Sequence, residues 1–395
     1  MDEHADLPLS GIRIADFTDV VMGPLATRMV GDLGAEVIRV EPPGGDVIRH
    51  YEPMRSPAMS AFSMNLNRNK RSIALDLKSP EGSQAARDLI ATCDVFVSNM
   101  RRRALGRLGL DQASVRELRS DIIYCVANGY GSDGPRADHA AYDDVMQAAS
   151  GLAGMFAWVG DEPRLVPSIY ADKVTGAHIA FAVAAALHGR ARDGRGTTIE
   201  VPMAETMAAF NLVEHLGGQT YEPPYGHFSY SRIRTANRKP RRTTDGWIVI
   251  LPYSDDNWRT FFAEAGRPEL ADDPRFQGTA NRVANADLLY GLVDDLVGGH
   301  TTAEWLAFCA DQSIPCAEVV EPERLREDDH FDAVGLFQED EHPTEGAYRY
   351  VRSPIRIDDA TIAQRRHPPR LGADTGEVLR ELGWSDERIA ALIDD

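Results

Sequence analysis

The stretch GIRIADFTDVVMGPLATRMVGDLGAEVIRVEPP, residues 11–43, decides the fold class. Ile12 to Phe17 is a short apolar run that reads as a buried strand. Pro24 suits the first turn of a following helix, and Gly34 lies just past its end. AEVIRVEPP is a second strand stopped by prolines. Strand, helix and strand within about thirty residues form a βαβ unit and imply a parallel sheet. Working outward, IALDL at 73–77 and DVFVSN at 94–99 are further strands, with a helix in SPEGSQAARDLIATC between them. DIIYCVANGYG at 121–131 is another strand ending in glycines. Ligands of open α/β sheets sit at the carboxyl ends of strands, so the loops starting at Thr18, Asn99 and Asn128 are the places to look.

A helix with small residues is expected over 142–160, and a long apolar helix over 174–188. A strand in TTIEVPM and a helix at 205–215 follow. Periodicity fails over 218–245, which reads as a linker or crossing segment. The strand GWIVILPY at 246–253, three helices and the strand PCAEVV make a small α+β unit. The tail holds a strand pair around YRYVRSPI and a final helix near Trp384. The expected division is 1–217, linker 218–245, small domain 246–325, and a returning segment 326–395.

Apolar residues are 43% of the 395-residue chain, as suits a globular protein. The net charge of −19 argues against a general nucleic-acid binder. Local arginine groups still suit a phosphorylated ligand: Arg39 at a strand end, Arg68 with Lys70 and Arg71, and Arg101–Arg103 with Arg107. Read alone, each run is equally a solvated basic face. Cys93, Cys125, Cys309 and Cys316 are scattered and read as reduced thiols. With no signal peptide in the opening residues and no spanning apolar run, 177–187 being too short, the expected location is the cytoplasm and no membrane partner is expected. G-x-G-x-x-G, Walker, H-E-x-x-H and G-x-S-x-G patterns are missing, and no metal site is expected.

Asp172, in YADKVTG ahead of the apolar helix, suits an N-cap whose carboxylate accepts first-turn amides. The same helix terminus could instead stabilise an oxyanion forming beside the carboxylate, with Thr175 and Gly176 leaving room for a bulky partner. Local sequence leaves both open.

Several segments together resemble the class III CoA-transferase family (CaiB/BaiF type). They are residues 11–46, MNLNRNKRSIALDLKSPEG at 64–82, DVFVSNMRRRALGRLGL at 94–110, GYGSDGP at 129–135, YDDVMQAASGL at 142–152, ADKVTGAHIA at 171–180, DPRF at 273–276 and PPRLGADTGEVLRELG at 368–383. The resemblance implies a Rossmann-like large domain, an inserted small α+β domain and a homodimer of interlocked rings. It implies CoA transfer between carboxylic acids, with coenzyme A and acyl-CoA as substrates and no permanently bound cofactor. Asp172 matches the nucleophilic aspartate, which would pass through an aspartyl anhydride and an aspartyl-CoA thioester. Val20, Val21, Met22, Arg39, Asn99, Met100, Arg107 and Tyr142 match CoA-site positions. Val21 stands where some members carry glutamine, Met100 where an aromatic is usual, and TANRKPRRTTDG at 235–246 lacks a tyrosine–glycine end. The family's racemases use a His–Asp pair. Here Asp138 takes the histidine's place, with His139 one residue later, so DHAAYDD looks more like the transferase form. A racemase or a non-catalytic acyl-CoA-binding relative is the alternative.

Overall fold

The computed structural model describes residues 7–394. Contacts divide the chain into two compact units. Among the described residues, one comprises 7–150, 166–208 and 330–394, the other 151–165 and 209–329. The first unit therefore stops nearer 208 than 217, and the second takes in the short excursion 151–165.

The first unit is built on six parallel strands: β1 (Arg13–Phe17), β2 (Glu36–Glu41), β3 (Lys70–Ala74), β4 (Val95–Ser98), β5 (Ile123–Val126) and β6 (Thr198–Glu200). Their spatial order is β3-β2-β1-β4-β5-β6. Ala15 lies opposite both Ile38 and Phe96, so β1 occupies the centre. Chain order reverses between β1 and β4, and at such a switch point the loops diverge and leave a crevice. Central strands covered on both faces need apolar residues at successive positions. Phe17, Phe96 and Tyr124 meet this need on neighbouring strands, with ring centroids 5.1 Å apart at each step. Burying each such side chain contributes roughly 1.5–3 kcal/mol.

The first helix runs Met22–Asp32 with Pro24 in its opening turn. Gly34 ends it at φ +113°, where an added Cβ would meet Leu7 Cβ at 2.7 Å. The expected helix over 142–160 is broken. Asp143–Ala149 and Leu152–Met155 are separated by Gly151 at φ +88°. The long apolar helix is longer than its apolar run, Tyr170–Asp193, and ends on the left-handed Gly194. The returning C-terminal segment covers the outer strand. Ser72 N donates to Asp374 Oδ2 at 2.8 Å, and Ala74 N to Thr375 Oγ1 at 3.0 Å. This satisfies part of an edge that would otherwise invite strand pairing. The tail ends in two helices, Thr375–Glu381 and Asp386–Asp394, where one was expected.

The second unit is α+β. Its three antiparallel strands are β7 (Arg241–Arg242), β8 (Trp247–Ile250) and β9 (Cys316–Glu318), in the order β7-β8-β9. Its core gathers Trp258, Phe261, Phe262 and Trp305, and Trp305 Nε1 donates to Val297 O at 2.9 Å. Thr301 caps the helix Thr302–Asp311 through a reciprocal pair with Glu304. Among the described residues no helix is long and apolar enough to cross a membrane.

Candidate active site

The loops leaving β1, β4 and β5 surround a cavity of about 230 Å³ within the first unit. Its wall takes Asp19, Val20 and Met22 from the first loop, Asn99, Met100 and Arg101 from the second, and Asn128 and Gly129 from the third. His139, Tyr142 and Asp172 complete the polar lining. The first two loops are latched by one side chain. Asp19 N donates to Asn99 Oδ1 at 2.9 Å, and Asn99 Nδ2 donates to Asp19 O at 2.9 Å. Gly129 is required in the third loop, because a Cβ there would lie 2.1 Å from Ala141 Cβ.

Asp172 is not the cap of its helix. Ile169 occupies the N-cap, and Asp172 is the third helical residue. Its amide, one of the donors left over in a first turn, donates to Asp143 Oδ1 at 2.9 Å. Asp143 is itself fixed by Gln147 Nε2, which reaches its Oδ2 at 2.7 Å. The same Gln147 side chain holds the approach to the long helix, donating to Ser168 O and accepting from Val166 N. The Asp172 carboxylate is thus left to the cavity, though the residue is only 8% exposed. Burial pushes its pKa up to about 7, with the nearby charges of Asp143 and Asp19 adding to the effect. Asp19 is raised as well, by desolvation in the cleft and by Asp46. The room expected beside Thr175 and Gly176 is absent. Thr175 is fully buried, and a Cβ on Gly176 would sit 2.7 Å from Met22 O.

Of the positions matched by resemblance, Val20, Met22, Asn99, Met100, Tyr142 and Asp172 share the cavity wall. Val21 turns into an apolar cluster with Ile48 and Leu66. Arg107 lies on the short helix Arg102–Leu108, away from the cavity lining. Arg39 is 0% exposed and serves the interior. It pairs with Asp46, donates to Asn67 and lies 3.5 Å from Glu41. Burial opposes ionisation of Glu41, but Arg39 and Arg49 outweigh it and hold that carboxyl down at about 2. The basic run at 68–71 is likewise internal. Arg68 pairs with Asp32, Lys70 with Asp16, and Arg71 with Glu36 and Glu381. Of the second run only Arg101 reaches the cavity, while Arg102 pairs with Glu200 and Arg103 with Asp138. Asp19, Asp143 and Gln147 were not singled out as site residues. The rule that ligands sit at strand carboxyl ends points to Asp19, and the i, i+4 spacing of Asp143 and Gln147 is the one local signal for that pair. Among the described residues no group of three or more His, Cys, Asp or Glu side chains is placed to hold a metal ion.

A doubly wound sheet with a buried carboxylate at its switch point defines an α/β enzyme site with a candidate nucleophile. Comparison with known proteins gives the family. The model described as CoA-transferase family III matches residues 9–375, and the chain belongs to that family. It is similar to human succinyl-CoA:glutarate CoA-transferase, 32% identical over 391 residues, covering 98% of this chain and 89% of that protein. Formyl-CoA:oxalate CoA-transferase of Rhodopseudomonas palustris (strain BisA53) is 29% identical over 410 residues, covering 98% and 96%. The crystal structure of a CAIB/BAIF family protein from Brucella suis superposes with a TM-score of 0.81 at 27% identity, covering 95% of this chain and 100% of that one. The protein is therefore an enzyme that transfers coenzyme A from an acyl-CoA thioester to a free carboxylic acid, with acyl-CoA as substrate and with aspartyl anhydride and aspartyl-CoA thioester intermediates.

Proposed function

We propose that Asp172 is the residue that carries this transfer. One Oδ attacks the thioester carbonyl, the C–S bond breaks, and CoA leaves as thiolate, giving a mixed anhydride. The thiolate attacks the Asp172 carbonyl carbon, which releases the donor acid and leaves the aspartyl-CoA thioester. The acceptor carboxylate attacks that carbon and expels the thiolate, which then takes the acceptor acyl group and restores Asp172. The observation that carries the reading is a buried carboxylate on the cavity wall whose backbone, not its side chain, is engaged by Asp143. A carboxylate held near pKa 7 is also more nucleophilic than one in water. Val20, Met22, Asn99, Met100 and Tyr142 are the proposed CoA contacts from the cavity wall. For Val21, Arg39 and Arg107 the proposed part is indirect, in supporting the loops. The small cavity and the acids named in the two relatives support short dicarboxylates as substrates, with Arg101 available to a second carboxylate.

We also propose that the enzyme is an interlocked homodimer working in the cytoplasm. What supports the dimer is the long helix, whose outer face leaves Phe181 74% exposed. The four free cysteines support a reducing compartment.

The test is incubation with succinyl-CoA and hydroxylamine, followed by peptide mass spectrometry. Conversion of Asp172 to a hydroxamate, with loss of transfer, is expected. An unmodified Asp172 in a chain that still transfers CoA refutes the assignment. His139 favours a second reading, since it shares the cavity with Asp172 and could pass an α-proton. Deuterium exchange at the acyl α-carbon that disappears in His139→Ala would establish it.

A further inference from the structure

Val20 has a backbone φ of +61°. A β-branched side chain in this left-handed region crowds its own backbone, so something must hold it there. The residue lies on the cavity wall shared with Asp172. Its amide donates to Asp46 Oδ2 at 2.9 Å. Asp46 comes from the GGD turn after β2, and its Oδ1 accepts from Ile48 N at 3.1 Å, capping the turn Val47–His50. Its Oδ2 also pairs with Arg39. On the other side of Val20, Asp19 is latched through both backbone polar groups by Asn99. The left-handed residue is therefore clamped from a buried ion pair below and from the neighbouring loop beside it.

We propose that Asp46 is a positioning residue for CoA transfer: held by Arg39, it keeps Val20 in the left-handed conformation and so shapes the wall that Val20 shares with Asp172. A charged acceptor binds an amide more firmly than a neutral one. Asp46 cannot swing away without leaving a buried guanidinium short of its partner. Released from the tether, Val20 relaxes to an ordinary β or right-handed conformation, and that rotation carries Met22, the first residue of its helix, with it. Glycine adopts positive φ without steric cost. A glycine at position 20 thus frees the wall from its dependence on Asp46, which makes the claim testable by coupling rather than by loss alone.

This inference rests on Asp172 as nucleophile. The experiment is a double-mutant cycle on the full chain: wild type, D46N, V20G and the double variant. Acylation of Asp172 by succinyl-CoA is followed by quench and mass spectrometry, with thermal melting alongside. Asn keeps the size and one acceptor of Asp46 but loses the charge that grips Arg39. D46N is expected to slow acylation at least tenfold when Val20 is present, and less than threefold in the V20G background. The KM for succinyl-CoA is expected to rise in D46N as well, because Val20 and Met22 are proposed CoA contacts, and to rise less in the V20G background. Equal slowing in both backgrounds, or no slowing at all, overturns the proposal. If D46N does not fold, Asp46→Glu replaces it, keeping the charge beside Arg39 but misplacing the acceptor, with the same two outcomes. A wild-type chain that transfers CoA without acylating Asp172 refutes the nucleophile instead, and the cycle is then read on the transfer rate.

Discussion

Replacing Asp172 with Asn should make the protein inactive and more stable, and the gain should depend on pH. The folded pKa is about 7 against an ordinary value of 3.8. Each unit is worth 1.36 kcal/mol. The folded chain binds this proton more tightly than the unfolded chain does. Its contribution to stability is thus fully present below pH 3.8 and is lost as pH rises through 7. At pH 8 the ionised carboxylate costs the fold on the order of 4 kcal/mol, and at pH 5, where folding protonates it, about 2 kcal/mol. The neutral amide removes both costs. For a chain of 395 residues the unfolding entropy is about 0.8 kcal/mol/K. The expected rise in Tm is therefore ~5 °C at pH 8 and ~2 °C at pH 5. Calorimetry of wild type and Asp172→Asn at both pH values checks it. A variant that melts at or below wild type at pH 8 refutes the reasoning, as does a gain that fails to shrink toward pH 5. The physical content is a trade of stability for reactivity, a common cost of a desolvated active-site group.

On the proposed role of Asp172 as nucleophile, transfer should rise with pH through about 7, because only the ionised carboxylate would attack, and Asp143→Asn should move that midpoint downward by removing a neighbouring negative charge; the pH profile of kcat/KM decides. Asn99→Ala removes both hydrogen bonds of the loop latch, each worth about 1 kcal/mol. A urea midpoint lowered to match, with a raised KM for acyl-CoA, is expected, and unchanged values of both count against the latch. Gly176→Ala drives a methyl to within 2.7 Å of Met22 O, and chemical denaturation should show a loss of about 1–3 kcal/mol.

The sheet was legible because parallel strands buried on both faces announce themselves as apolar runs, as at Ile12–Phe17 and 121–126. The cavity was legible through its loops, since ligands of open α/β sheets sit at the carboxyl ends of strands, which marks the loops starting at Thr18, Asn99 and Asn128; the reversal of strand order between β1 and β4 needed the structure. Arg39 was not legible. An arginine at a strand end reads as a ligand contact until its partners are known, and Asn67 lies 28 residues away in sequence. Lys70 and Arg71 misled for the same reason, being neutralised by Asp16, Glu36 and Glu381 from distant elements.

The hardest reading was Asp172 itself, and the reason is one turn of helix. At an N-cap the carboxylate would accept its own first-turn amides, which would lower its pKa and blunt it as a nucleophile. The helix instead begins at Tyr170. Gln147 holds Ser168 O and Val166 N ahead of it, and Asp143 takes the Asp172 amide, all from a different helix. No local propensity around residue 172 encodes that start, because the groups that set it lie more than twenty residues upstream. Asp143 thus acts twice: its Oδ1 accepts the Asp172 amide, and its charge helps keep the Asp172 carboxylate basic. A motif match can identify the aspartate, but what keeps its carboxylate basic is burial first and the charge of Asp143 second.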